Sequence, residues 1–350
     1  MKKAYLIIVI LLLGCGNNGH HFRYKRFRLH KPDNFYLDTY YPIVTEKKNI
    51  YISGYFAYNN HMNKKAIIKT PKKNINHIKI LQGSIKGKIE FLTEHGSFLY
   101  MITKEVNYYK LFKIHKQSGA TKLLLKKNIS ISNVTTFKFK NNSTMYIVFT
   151  SVNFDFPTEV YYTADGGETW RNWKIPLIGT RSIIKNDTLY LLSHKGTNGE
   201  LYVLNYKNGN YIKIIKFNKN IFDMKLNSVS NRILLSGYKA AERGWSRFWG
   251  RKEVSVYELR DLSPVKISDF TAGEKMFPNF LYSYGNFICI SYSKYEDDFF
   301  VYSFDYGKTW HKNKIQRIYD ESYDFYKDKE FYGTIGPREF MAGKFYKNLD

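Results

Sequence analysis

The sequence predicts an all-β fold built from repeated four-stranded antiparallel units. The main observation is a short run of β-favouring residues that follows a polar turn and begins with a large apolar residue. Seven such runs recur at spacings of 44 to 54 residues, and they open at Ile50, Phe98, Met145, Leu189, Ile233, Phe287 and Phe331. No stretch after the first twenty residues keeps the 3.6-residue period of an amphipathic helix, which disfavours a helical solenoid.

Each opening run is followed by a second strand, a tight turn and a further strand, as in Glu159–Thr163 and the Gly-rich turn after it. Together with the strand that precedes each run, this gives four strands per period, the signature of β-propeller blades. We therefore predict a β-propeller of seven blades, with six as the alternative, because the last unit offers only three strands. An imperfectly alternating segment at 22–29 is expected to supply the missing strand and close the ring. The alternative for this segment is a basic arm that lies on anionic headgroups.

The N-terminus has the composition of a targeting segment. Lys2 and Lys3 precede an apolar run of ten residues, Ala4–Leu13, which is shorter than the ~20 residues of a membrane-spanning helix. Together with Gly14-Cys15, the run resembles the signal peptide of bacterial lipoproteins. That resemblance implies a cleaved leader at 1–14, a lipidated (palmitate-type) tether at 15–21 and a single propeller domain at 22–350. It also implies a bacterial cell-envelope location with lipid on Cys15, in the outer membrane if two membranes are present. An ordinary secretory signal or an uncleaved anchor is the alternative.

The charge balance narrows the classes of partner. The chain has 55 Lys and Arg against 30 Asp and Glu, a formal charge of +25. A positive envelope protein attracts anionic lipid or acidic glycan, and we predict no nucleic-acid partner because no motif for one is present. Cys289 lies in an apolar run and is expected to be a small core residue. Since no clustered His/Cys spacing or phosphate loop occurs, we predict no metal and no cofactor.

Two turns share the pattern S/T-x-D-x-G-x-T-W, and they are 140 residues apart, which is three repeat periods. In such a turn the Asp carboxylate accepts backbone N–H groups, and the Gly adopts a positive φ. The pattern resembles the BNR/Asp-box repeats of sialidases and related propellers. That resemblance implies that the turns join the third and fourth strands of a blade, on the face away from the ligand. The residues assigned this structural role are Thr163, Asp165, Gly167 and Trp170, and Ser303, Asp305, Gly307 and Trp310.

The resemblance also implies what a sialidase site would need. Such enzymes use three arginines, a Tyr nucleophile activated by Glu, and an Asp general acid. The expected N-terminal F/Y-R-I-P motif is represented only by Phe27-Arg28-Leu29-His30, which lacks Ile-Pro. The candidate catalytic residues on the face opposite the turns are Arg181, Arg338, Asp155 and Glu159.

The longest connection on that face, residues 238–253, is the candidate binding loop. It concentrates residue types that dominate binding hot spots, namely Arg243, Trp245, Arg247, Phe248, Trp249 and Arg251. A self-packed insertion is the alternative. The leading prediction is a membrane-anchored, non-catalytic binding propeller that recognises a protein or an acidic glycan, including an immunity or inhibitor type. A sialidase-like exo-glycosidase and an envelope assembly or sorting factor are the alternatives.

Overall fold

The computed structural model describes residues 20–28, 35–37, 43–46, 48–58, 61–73, 79–128, 132–151, 157–176, 179–185, 188–195, 198–205, 210–217, 220–227, 229–238, 251–274, 277–294, 297–316, 323–326, 330–336 and 339–347. Within these residues the regular elements are 29 strands, arranged in seven antiparallel sheets. The predicted all-β class is therefore confirmed.

The strands follow the chain sheet by sheet. β1 (His20–Arg28) precedes sheet 1, which contains β2 (Phe35–Leu37), β3 (Ile43–Thr45), β4 (Asn49–Tyr58), β5 (His61–Pro71) and β6 (Lys79–Ile85). Sheet 2 contains β7 (Lys88–His95), β8 (Phe98–Lys104), β9 (Tyr108–His115) and β10 (Thr121–Asn128). Sheet 3 contains β11 (Ser132–Phe139), β12 (Met145–Ser151), β13 (Thr158–Thr163) and β14 (Arg171–Ile175).

The remaining sheets repeat this order. Sheet 4 contains β15 (Gly179–Lys185), β16 (Thr188–Lys195), β17 (Asn198–Leu204) and β18 (Tyr211–Lys216). Sheet 5 contains β19 (Asn220–Asn227), β20 (Arg232–Tyr238), β21 (Arg251–Arg260) and β22 (Ser263–Glu274). Sheet 6 contains β23 (Phe277–Tyr284), β24 (Phe287–Lys294), β25 (Asp297–Ser303) and β26 (His311–Gln316). Sheet 7 contains β27 (Tyr323–Tyr326), β28 (Glu330–Gly336) and β29 (Glu339–Lys347) together with β1.

The predicted count of seven four-stranded blades is wrong, and the alternative of six agrees with the structure. Six sheets in the described part of the chain have four strands, and sheet 1 has five. In sheet 1 the fifth strand arises because both β2 and β3 pair with β4, along successive parts of it.

The N-terminal segment pairs with the last unit, as the sequence predicts. β1 lies antiparallel to β29 and is in register with it from His20 opposite Lys347 to Arg28 opposite Glu339. The pairing gives sheet 7 its fourth strand. Closure of a ring by this strand stays a prediction.

The chain divides into two compact units. One consists of residues 1–83 and 318–350, and the other, residues 84–317, holds sheets 2 to 6. In this second unit the core lies between neighbouring sheets. One buried cluster joins sheets 2 and 3, for example through Tyr100 and Phe137, and others join sheets 3 and 4, sheets 4 and 5, and sheets 5 and 6. Cys289 is fully buried in sheet 6, as predicted, and burial raises the pKa of its thiol well above the usual value.

A β-bulge recurs in the first strand of sheets 2 to 6. The register slips by one residue between Ile89 and Phe91, and at the corresponding places before Thr136, Arg181, Asp223 and Phe280. A bulge re-aims the side chain that follows it, and two of these side chains bond backbone groups in the first strand of the next sheet. Thr136 Oγ1 donates to the carbonyl of Ser182 at 3.0 Å, and Asp223 Oδ2 accepts the N–H of Leu281 at 2.8 Å.

Candidate functional site

The first Asp-box turn is held by its own side chains. Asp165 Oδ1 accepts the N–H groups of Glu168 and Thr169, both at 3.0 Å, and Asp165 Oδ2 accepts the Thr169 hydroxyl at 2.5 Å. The buried Thr163 hydroxyl donates to Asp165 at 2.6 Å and accepts the Gly167 N–H at 3.0 Å. These bonds lower the pKa of Asp165 well below its usual value. The carboxylate is thus committed to the turn.

The second turn repeats this geometry. Ser303 Oγ donates to Asp305 at 2.7 Å, and the N–H and hydroxyl of Thr309 donate to it at 2.9 and 2.7 Å. Partial burial of Asp305 opposes its ionisation, but the bonds from Thr309 and Ser303 outweigh it and lower the pKa to about 2. The predicted structural role of both aspartates agrees with these contacts.

Each Asp-box turn also bonds the sheet that precedes it. Trp170 Nε1 donates to the Leu124 carbonyl at 3.1 Å, and Trp310 Nε1 donates to Ser268 Oγ at 2.7 Å. The tryptophans therefore join neighbouring sheets. Gly167, at φ 96°, approaches Leu124 so closely that a Cβ would lie 3.1 Å from its Cδ1.

These turns become less stable in acid, and we expect that to be measurable as pH dependence of unfolding. Because the folded-state pKa values of Asp165 and Asp305 are depressed, their contribution is fully present above the unfolded pKa near 4. It is lost as the pH falls through the folded pKa, which for Asp305 is about 2. Urea unfolding between pH 5 and pH 2 should show a smaller fall in stability for Asp165→Asn/Asp305→Asn than for the unchanged chain. Equal falls in stability for the variant and the unchanged chain would show that Asp165 and Asp305 do not contribute to the pH dependence of unfolding.

The Asp-box turns identify the two ends of each sheet. Both turns join the third strand of a sheet to the fourth, β13 to β14 and β25 to β26, as the sequence predicts. In an antiparallel sheet, the connection between the second and third strands and the link to the next sheet then lie at the opposite end. We call this opposite end of sheets 2 to 6 the link end. The first and third strands begin there.

Glu159 lies at the link end of sheet 3 and is buried. Its Oε1 is 3.3 Å from Nζ of Lys127, and its Oε2 accepts the Tyr161 hydroxyl at 3.2 Å. The Lys127 ammonium also lies 5.0 Å from the centre of the Phe149 ring. Burial, then the charge of Glu159, raises the pKa of Tyr161 well above its usual value. The charge of Glu159 is thus offset by Lys127 within this cluster.

An equivalent group occurs in sheet 4, where the sequence analysis named no candidate. The buried carboxylate of Glu200 accepts hydrogen bonds from Lys213 Nζ and from the Tyr202 hydroxyl, both at 2.7 Å. Both bonds lower the pKa of Glu200, while burial and the bond to Glu200 raise that of Tyr202. A repeated Glu-x-Tyr near the start of the third strand, in Glu159–Tyr161 and again here, is the sequence signal that could have found this pair.

Arg181 lies near the link end of sheet 4, but it does not join a group of arginines in the described residues. Its Nε lies 3.2 Å from Oδ1 of the buried Asp223 in sheet 5. Asp223 also accepts the N–H groups of Met224 and Leu281, both at 2.8 Å. The Arg181 side chain is 45% exposed, and its guanidinium group contacts a carboxylate that links three consecutive sheets.

Several predicted residues fall outside the described part of the chain. These are Cys15, Asp155, Arg338 and the loop residues Arg243, Trp245, Arg247, Phe248 and Trp249. Arg251 is the first residue of β21, and nothing is described of its side chain. Among the described residues, no group of three or more His, Cys, Asp or Glu could hold a metal ion. The same residues contain no helix long and apolar enough to cross a membrane.

Comparison with known proteins supports the fold and both turns. A family model of the BNR/Asp-box repeat matches residues 161–172 and 301–312. Similar solved structures include the WD40 domain of Toxoplasma gondii coronin, with a TM-score of 0.61 and 8% identity over 98% of this chain and 89% of that one. They also include the β-propeller domain of the Trilobed protease from Pyrococcus furiosus, with a TM-score of 0.59 and 11% identity over 90% of this chain and 96% of that one. A third is BamB from Moraxella catarrhalis, with a TM-score of 0.52 and 10% identity over 94% of this chain and 99% of that one.

Identities this low show the fold alone. A search of curated proteins found no match. The sheets, the turns and the comparisons agree that the chain is a β-propeller with two BNR/Asp-box repeats, one in sheet 3 and one in sheet 6.

Proposed function

We propose that this protein is a membrane-anchored, non-catalytic binding propeller that recognises a protein or an acidic glycan at a bacterial envelope. The observation that carries the proposal is the pairing of its buried carboxylates with cations. Glu159, Glu200 and Asp223 are each buried and each paired with its own cation. A general acid or base must be free to exchange a proton with its substrate, which these pairings oppose.

Two further points support recognition. The formal charge of +25 favours an anionic partner. The candidate binding loop concentrates Arg and Trp, residue types enriched in binding hot spots, and its residues 239–250 lie outside the described part of the chain. BamB of Moraxella catarrhalis, a structural neighbour, has the same fold, and at 10% identity this likeness supports the fold and not a role.

A sialidase-like exo-glycosidase remains a second candidate because of the two tyrosine–glutamate pairs. The Tyr202 hydroxyl donates to Oε2 of Glu200 at 2.7 Å, which is the hydrogen bond that a Glu-activated Tyr nucleophile requires. Three features oppose it: each glutamate is neutralised by a lysine, both tyrosine pKa values are raised, and no arginine cluster occurs in the described residues. The enzyme would need a phenolate that this environment disfavours.

Binding is tested with soluble protein that starts after Cys15 and with immobilised acidic glycans, neutral glycans and envelope proteins. We expect a saturable ligand, and loss of its binding in Arg247→Ala/Trp249→Ala. Lys225→Ala/Val229→Ala, which removes one cation and one apolar side chain at exposed positions in and beside β19, is the control and should keep that binding. Equal binding by both double variants would remove the candidate binding loop from the proposal.

The anchor is tested separately by Cys15→Ser in the full chain. Acyl chains are retained in a bilayer through apolar burial, whereas 1 M salt shortens electrostatic attraction to about 3 Å. After a wash in 1 M NaCl we expect the unchanged chain in the membrane fraction and Cys15→Ser in the supernatant. Retention of the variant in the membrane after this wash would count against lipidation.

A further inference from the structure

The outer strands of three consecutive sheets carry a strong excess of positive charge. β10, β14 and β18 are the edge strands of sheets 2, 3 and 4. Their sequences, TKLLLKKN, RNWKI and YIKIIK, contain seven Lys or Arg residues and no Asp or Glu. We call this the outer-strand surface, and it lies wholly within residues 84–317.

Ion pairs offset only part of this charge. Lys122 pairs with Glu168, Lys127 with Glu159 and Lys213 with Glu200. The other four cations of the three strands are exposed, which leaves the surface with a marked positive excess; they are Lys126, Arg171, Lys174 and Lys216.

Exposed aliphatic side chains lie among these cations. Ile212 in β18 is 63% exposed and Leu123 in β10 is 47% exposed. One role of lysine on an edge strand is to block pairing with another sheet. That role gives no reason for Ile and Leu to be exposed beside the lysines. A hydrated polysaccharide offers such side chains no apolar interior, whereas a bilayer offers both headgroup phosphates and hydrocarbon.

The outer strand of sheet 5 shows that this composition is not a general property of edge strands. β22 has one cation, Lys266, which pairs with Asp269, and it also contains Glu274. Its charge balance is therefore the reverse of that of β10, β14 and β18. β26, the outer strand of sheet 6, carries Lys312 and Lys314 and no acidic residue, so the positive excess belongs to some outer strands and not to all.

We propose that the outer-strand surface docks on an anionic lipid bilayer, with Ile212 and Leu123 entering the headgroup region and the four excess cations facing lipid phosphates. This contact does not depend on the lipid anchor or on the ligand proposed above. It would place the outer edges of sheets 2 to 4 against the membrane.

The test uses residues 16–350, which retain all the described strands, and flotation with vesicles of phosphatidylcholine alone or with 30% phosphatidylglycerol in 0.1 M NaCl. We expect binding to the anionic vesicles only. Arg171→Gln/Lys174→Gln/Lys216→Gln should weaken it by roughly tenfold or more, since each surface cation contributes measurably to such binding. The matched control, Lys86→Gln/Lys225→Gln/Lys308→Gln, removes the same charge from exposed positions elsewhere and should weaken binding less than twofold.

The apolar part has its own pair of variants. Ile212→Ser should weaken vesicle binding several-fold, and Val229→Ser, at a 58% exposed position in the β19–β20 turn, should not. Circular dichroism and melting of each variant establish that it is folded. Equal effects of the two triple variants, or no binding to anionic vesicles, would overturn the proposal. Binding to soluble polygalacturonate but not to vesicles would assign the surface to an acidic glycan and would also overturn it.

Discussion

Replacing Asn227 by alanine should destabilise the protein by roughly 3 to 5 kcal/mol. Asn227 is fully buried at the end of β19 and bridges sheet 5 to sheet 6. Its Nδ2 donates to Ser283 Oγ at 2.6 Å and to the Gly285 carbonyl at 2.7 Å. Its Oδ1 accepts the Gly285 N–H at 3.0 Å and two N–H groups of its own turn. Alanine would leave several of these buried groups without a partner.

The measurement is urea unfolding followed by fluorescence and circular dichroism. Asn107→Ala, at an exposed position in the β8–β9 turn, is the control and should change stability by less than about 0.5 kcal/mol. A loss below about 1 kcal/mol for Asn227→Ala would mean that the bridge between the sheets contributes little.

Replacing Asp223 by alanine should cost roughly 2 to 3 kcal/mol. The buried carboxylate accepts the Leu281 N–H of the next sheet, and without it that N–H has lost its acceptor in a dry environment. Arg181→Gln should cost less than about 1 kcal/mol, because the Arg181 side chain is 45% exposed and water can replace its partner. The asymmetry between the two ends of one ion pair is the expected result.

Asp223→Asn separates charge from hydrogen bonding in this group. It keeps an oxygen for the Leu281 N–H, so we expect a loss intermediate between those of Asp223→Ala and Arg181→Gln. Equal losses for Asp223→Ala and Arg181→Gln in the same unfolding assay would show that the ion pair, and not the bond to the neighbouring sheet, carries the stability.

The repeat pattern predicted much of the fold because it depends on local composition. The run at Phe98 opens β8 and the run at Met145 opens β12, and the runs at Leu189 and Ile233 begin one residue inside β16 and β20. The two Asp-box turns were located in full, since every residue that builds them lies within eight positions. The pairing of two short strands, β2 and β3, with one strand of sheet 1 was not predicted.

The contacts between sheets could not be predicted from the sequence. Asn227 finds Gly285 at a separation of 58 residues, and Asp223 finds Leu281 at the same separation. Both contacts depend on how two sheets are placed side by side. The contact of Asp223 also depends on a β-bulge, which no residue type in the sequence indicates. Glu159 was named as a candidate acid or base, but its partner Lys127 comes from the preceding sheet and only the structure shows it.

The most direct test of the central claim, recognition without catalysis, is release of a fluorophore from a sialoside by soluble protein that starts after Cys15. The account predicts no release above the rate of buffer alone, and no difference between the unchanged chain and Tyr202→Phe or Glu159→Gln. Sustained release that falls by orders of magnitude in either variant would contradict it and would establish the tyrosine–glutamate pairs as a catalytic site.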